Sequence, residues 1–225
     1  MRRIFRDNRL YFCWFFLCLI LGSILLIAND KGDAIFFFSQ YRSELSDPFF
    51  KYFTHMGEAV AYLSTAIICL FVRFRYSLLV GLTGGAVSLL SYFLKAFFAH
   101  DRPALFFRKL KMLDQINLVK GVDLNSAATS FPSGHAMAAF ALYSLLVFLL
   151  PNKKRFALPL FLIALLVAVS RIYLVQHFLE DVFLGAILGL LIAILVYWAN
   201  VRFDNKPQVW IDRSFLSLKK KPPEG

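Results

Sequence analysis

The chain has 225 residues, 59% of them hydrophobic and 17% aromatic, with 26 Phe, and carries a formal net charge of +11. A water-soluble domain of this size cannot hide so much apolar surface, which excludes an ordinary soluble fold and points to a lipid bilayer. The basic residues sit at the ends of apolar runs and in connecting loops, with no zinc-ligand spacing or nucleic-acid module beside them, which argues against nucleic acid as a partner.

Arg2, Arg3, Arg6 and Arg9 precede the first apolar run. That run, 11–28, exceeds the core of a signal peptide, and Ala28, Asn29 and Asp30 make a poor cleavage site, so it is expected to remain as a span. Segment 29–56 interleaves Phe36, Phe37, Phe38, Tyr41, Phe49, Phe50 and Phe53 with Asp33, Arg42, Glu44 and Lys51, as an interfacial amphipathic segment would; a plain connector is the alternative. Further spans are expected over 57–72, 77–99, 135–150, 156–172 and 182–199. They are helical, because backbone in lipid must satisfy its own hydrogen bonds, and barrel strands would be half as long and alternating. The expected fold is all-α, a polytopic membrane protein with six transmembrane helices and a helical-bundle core, forming one domain over 1–225 with a cytoplasmic tail over 203–225.

Lys and Arg set the orientation. The N-terminal arginines, Arg73, Arg75, Lys153, Lys154, Arg155, Arg202, Lys206, Arg213 and Lys219 to Lys221 fall on one side, so both termini are expected in the cytoplasm. Alternation then brings the end of the third span, the start of the fourth, the end of the fifth and the start of the sixth to the outer face. Loop 104–131, opening with Phe106, Phe107, Arg108 and Lys109, lies on that face as a lid or a connector. Cys13, Cys18 and Cys69 lie inside apolar runs and form no disulfide framework. Gly81 with Gly85, and Gly185 with Gly189, have the spacing that lets helices approach closely; packing within one protomer is expected in preference to a dimer contact.

Three blocks gather on the outer face. Lys95, Arg102 and Arg171 supply positive charge suited to phosphoryl oxygens. Pro132, Ser133, Gly134 and His135 open the fourth span, where a helix N-terminus offers free N–H groups; Ser133 alone could be a helix cap. His177 and Asp181 are four apart, so within one helix they would share a face, and the carboxylate could hold one ring nitrogen while the other acts as nucleophile. A divalent metal would be repelled by the converging cations, so no metal is expected. His55 and His100 carry no assigned role, and Glu180 points away from Asp181 on a helix.

These blocks resemble the type 2 phosphatidic acid phosphatase superfamily, whose signature reads Lys-x6-Arg-Pro, Pro-Ser-Gly-His and Ser-Arg-x5-His-x3-Asp; every position is matched from Lys95 to Asp181. The resemblance implies metal- and cofactor-independent hydrolysis of a lipid phosphate. His177 would be the nucleophile, oriented by Asp181, and His135 would protonate the leaving oxygen. Lys95, Arg102, Ser133, Gly134 and Arg171 would hold the phosphate, with Ser170 a weaker member. Undecaprenyl diphosphate, phosphatidylglycerophosphate, phosphatidic acid and a lipid A phosphate are the implied substrates, and a bacterial inner membrane with a periplasm-facing site is the implied setting. Phosphotransfer to another hydroxyl is the alternative, and a non-catalytic transporter is less favoured.

Overall fold

The computed structural model describes residues 2–203 and 210–218. Lys206, Pro207, Lys219, Lys220, Lys221, Pro222 and Pro223 of the expected tail lie outside the described residues. A short α1 (Arg2–Asp7) leads into α2 (Arg9–Ala28). Two short helices follow, α3 (Asp33–Gln40) and α4 (Ser46–Phe53), then a 3-10 turn (Thr54–Gly57) and α5 (Ala59–Val72). After α6 (Phe74–Phe98) and the short α7 (Pro103–Lys109), a long loop reaches α8 (Gly134–Leu149). The chain ends with α9 (Lys153–Tyr173), α10 (Leu179–Phe203) and α11 (Phe215–Leu218).

Among the described residues, four helical stretches are long and apolar enough to cross a membrane, and α4 with α5, bent by 56°, makes a fifth if counted as one span. The remaining apolar helix, α8, has 16 residues, about 24 Å of rise, against the ~30 Å of hydrocarbon that a span must cross. Its length follows from its place. α8 is the axis of the bundle, packed on α6, α9 and above all α10, with Ala139, Ala141, Leu142, Leu145 and Val147 fully buried. Ile27, Leu63, Leu82 and Phe93 on the surrounding helices are exposed, as side chains facing lipid would be.

Glycine explains the closeness of α8 and α10. A β-carbon on Gly185 would stand 2.6 Å from the Ser133 carbonyl oxygen, and one on Gly189 would overlap the Met137 carbonyl. This pair therefore packs within the chain, as its spacing suggested. Gly81 and Gly85 differ: nothing lies within 4 Å of a β-carbon built at either, so that pair makes no close helix contact.

The two ends of the bundle are chemically distinct. At one, Lys153 donates to the Phe148 carbonyl at 2.8 Å and lies near Arg3 and Asp7, and Arg75 pairs with Asp212 at 2.9 Å. At the other, α3 and α4 pack on α9: Arg42 donates to the Tyr173 carbonyl at 2.7 Å, and Ser39 accepts the Asn117 N–H at 2.7 Å. Segments 29–56 and 104–131 thus bind each other as well as the bundle.

Candidate active site

Arg171 lies in the last turn of α9, after which the chain turns sharply, with Val175 at φ +58°. The N–H groups of Gln176 and His177 donate to the Arg171 carbonyl at 2.9 and 3.1 Å, which folds the turn back over the helix end. Because α10 begins at Leu179, Asp181 falls in its first turn, where a carboxylate meets the positive end of the helix dipole. Its Oδ2 accepts from the Phe178 N–H at 2.9 Å, lies 3.2 Å from His177 Nδ1 and receives a short hydrogen bond from Ser130 Oγ.

The spacing of four therefore works by a route other than a shared helical face: His177 sits in the turn before α10, and Asp181 reaches back to it. With Nδ1 facing the carboxylate, Nε2 is left to react. Both side chains are 1% exposed. Burial pushes the His177 ring below its ordinary pKa; Asp181 opposes this and Arg171 adds to it, so the ring is neutral at pH 7 and keeps a lone pair.

The second block lies against the third. Ser133 caps α8, its side chain accepting from the Ala136 N–H at 3.4 Å, while its own N–H donates to the Asp181 carbonyl at 2.9 Å. The Ser133 N–H is thus spent in tying the two helix starts together, which leaves the backbone donors expected for an anion to the residues after it. A β-carbon on Gly134 would stand 3.2 Å from Ser91 Oγ, a tight approach, and 3.5 Å from Lys95 Nζ, an ordinary contact, so glycine eases the packing of α6 on this helix start while Lys95 lies close beside it.

Arg102 and Arg171 are both buried. Arg102 Nη1 reaches the carbonyl and side-chain oxygens of Gln176 at 3.4 and 3.3 Å, and Arg171 Nη1 donates to Thr54 Oγ1 at 2.7 Å. The Nε of each is buried without a hydrogen-bond partner among the described residues. Lys95, Arg102, Arg171 and Asp181 lie near enough to act on one another electrostatically. Such donors suit an acceptor with several oxygens.

His135 places Nε2 2.9 Å from Glu58 Oε1, and Glu58 Oε2 lies 2.8 Å from His55 Nδ1. Four residues that hold the site were missed from sequence: Ser130, Gln176, Thr54 and Glu58. Glu58 did carry a signal, being an ionisable group at the end of an apolar run. Thr54 carried none, because its partner Arg171 is 117 positions away. Ser170 bonds back to the Val167 carbonyl at 2.6 Å and Glu180 pairs with Lys31 at 2.9 Å, so neither joins the cluster.

A groove of about 670 Å³ runs from the cluster between α5 and α6. Glu58 and Lys95 mark its polar end; Tyr62, Leu63, Gly81 and Gly85 line the rest. The second glycine pair thus borders open space, not a neighbouring helix.

An apolar helical bundle that ends in cations around a histidine–carboxylate pair is the architecture of a membrane phosphatase. The PAP2 superfamily model matches residues 74–204, and the chain belongs to that family. Phosphatidylglycerophosphatase B of Bacillus subtilis (strain 168) is 40% identical over 81 residues, which cover 32% of this chain and 40% of that relative. Among solved structures, Aquifex aeolicus LpxE superposes with a TM-score of 0.64 at 28% identity, over 75% of this chain and 94% of that one. The PAP2-type phosphatidylglycerolphosphate phosphatase of Bacillus subtilis superposes with a TM-score of 0.65 at 26% identity, over 87% and 98%.

Proposed function

We propose that the protein is a metal-independent lipid-phosphate phosphatase working through a phosphohistidine at His177. The observation that carries this reading is the buried His177–Asp181 pair set beside two guanidinium groups whose Nε donors are buried and unpartnered. His177 Nε2 attacks phosphorus and the bond to the lipid oxygen breaks. Lys95, Arg102, Arg171 and the backbone at Gly134 hold the phosphoryl oxygens, and His135 gives the departing oxygen its proton. Water then attacks the phosphohistidine, its proton returns to His135, the P–N bond breaks and inorganic phosphate leaves. Each histidine ends as it began.

A lipid is favoured over a soluble phosphate because the groove from Lys95 runs down the bundle wall between apolar side chains. Phosphatidylglycerophosphate heads the candidates, on the names of the Bacillus subtilis matches in sequence and in structure, ahead of phosphatidic acid, undecaprenyl diphosphate and a lipid A phosphate. The reading includes one domain with six crossings, α8 being the short central one, and a bacterial inner membrane. Both termini are cytoplasmic and the site faces the periplasm, in keeping with the arginine-rich end of the bundle. Purified protein in detergent, treated with a chelator, should release phosphate from this panel and form an acid-labile phosphoenzyme that His177→Ala lacks. Activity lost on chelation and restored only by a divalent ion would overturn the metal-independent mechanism.

A further inference from the structure

The proposed mechanism leaves Glu58 unused, although it occupies the residue before α5 and touches the proton donor. Four groups surround His135. Lys95 approaches from α6 and Arg171 from α9; Glu58 meets it from the turn before α5, with His55 behind the carboxylate. A histidine that must carry a proton is here set between two cations and one anion. Burial opposes charging the ring, and so do Arg171 and Lys95; negative charge held at contact distance works against all three. Glu58 supplies it at 2.9 Å, and His55, on the other carboxylate oxygen at 2.8 Å, restrains its rotation.

We infer that Glu58 is the positioning residue of the leaving-group acid, favouring the protonated form of His135 at contact distance and thereby fitting the site to phosphate monoesters of ordinary alcohols. This rests on the reading of His135 as that acid. Glu58 holds Nε2, so Nδ1 is the nitrogen that delivers the proton. Asp181 works the opposite way round, holding Nδ1 of His177 and freeing Nε2. The substrate class follows from the leaving group. An alkoxide is a poor one and needs its proton as the P–O bond breaks, whereas a nitrophenolate departs without help. A carboxylate that maintains the acid benefits the first kind of substrate only.

The test compares wild type, Glu58→Gln, Glu58→Ala and Glu58→Asp on phosphatidic acid and on p-nitrophenyl phosphate across pH. Glu58→Gln and Glu58→Ala should lower kcat on phosphatidic acid on the order of 10- to 100-fold, while p-nitrophenyl phosphate changes by less than about threefold. The alkaline limb of the phosphatidic acid profile should move about one unit to lower pH, because the charged ring has lost its anion and yields its proton sooner. Glu58→Asp, which keeps the charge, should restore part of the rate and of the profile. Equal losses on both substrates with an unmoved alkaline limb would make Glu58 a purely structural residue and overturn the inference. So would folded Gln and Ala variants with wild-type rates. Phosphate release that persists in His177→Ala would bring down the parent mechanism and this inference together; a His177-dependent rate with no leaving-group effect at Glu58 brings down the inference alone.

Discussion

The site contains two histidine–carboxylate pairs that share a chemistry and differ in exposure. His177 and Asp181 are each 1% exposed, whereas His135 and Glu58 are 28% and 35% exposed. Burial favours the neutral ring, which a nucleophile requires. Access favours the other pair, since a proton donor must meet an oxygen that belongs to a different molecule each turnover. Glu58 also lines the groove, so in the proposed mechanism the open pair would face the lipid and the closed pair the phosphoryl group. One pair would then meet what all candidate substrates have in common, the other what distinguishes them.

The largest expected effects break the closed pair. His177→Ala should lower kcat by at least ~10⁴-fold on every phosphate ester tested, alkyl or aryl, because no second nucleophile stands at that position. Asp181→Asn should cost roughly 10³- to 10⁴-fold, again without regard to leaving group, by releasing the ring from its reactive tautomer. Rates on phosphatidic acid and p-nitrophenyl phosphate check both; a loss at Asp181 confined to the alkyl ester would erase the contrast between the pairs. His135→Ala comes next, at about 10²- to 10⁴-fold on the alkyl ester and much less on the aryl one.

Sequence reading reached the closed pair more fully than the open one, for a physical reason. His177, Asp181 and Arg171 lie within one short stretch joining two helices, so local spacing reports their proximity even though the turn geometry differs from a helical face. Ser133, Gly134 and His135 announce themselves by opening a helix. The partner of His135 is 77 positions away, and that contact exists only because the 3-10 turn leading into α5 packs on α8. No periodicity encodes it. The helices were legible for the opposite reason: apolar runs with charged ends describe α2, α6, α9 and α10 within a few residues. The glycine pairs show the limit of such patterns. Gly185 and Gly189 have the same spacing as Gly81 and Gly85, yet only what stands opposite decides between packing and open space.

That difference gives the smallest effect and the sharpest separation of lipid from phosphoryl recognition. Gly81 sits on an exposed face of α6, where a β-carbon would meet nothing within 4 Å. Gly81→Leu therefore introduces no clash with the fold, and replacing a mid-helix glycine favours the helix by up to about 1 kcal/mol. Its side chain instead enters the groove that leads to Glu58 and Lys95. KM for a long-chain phosphatidic acid should rise roughly tenfold, the size of effect that crowding a hydrophobic pocket produces, while kcat/KM for p-nitrophenyl phosphate stays within about twofold. A dioctanoyl substrate should fall between them. If chain length makes no difference to the variant, the groove does not hold the lipid tail, and the exposure of the His135–Glu58 pair needs another cause. If the aryl rate falls as far as the lipid rate, the substitution has disturbed α6 and moved Lys95, which thermal unfolding of the detergent-solubilised protein would register.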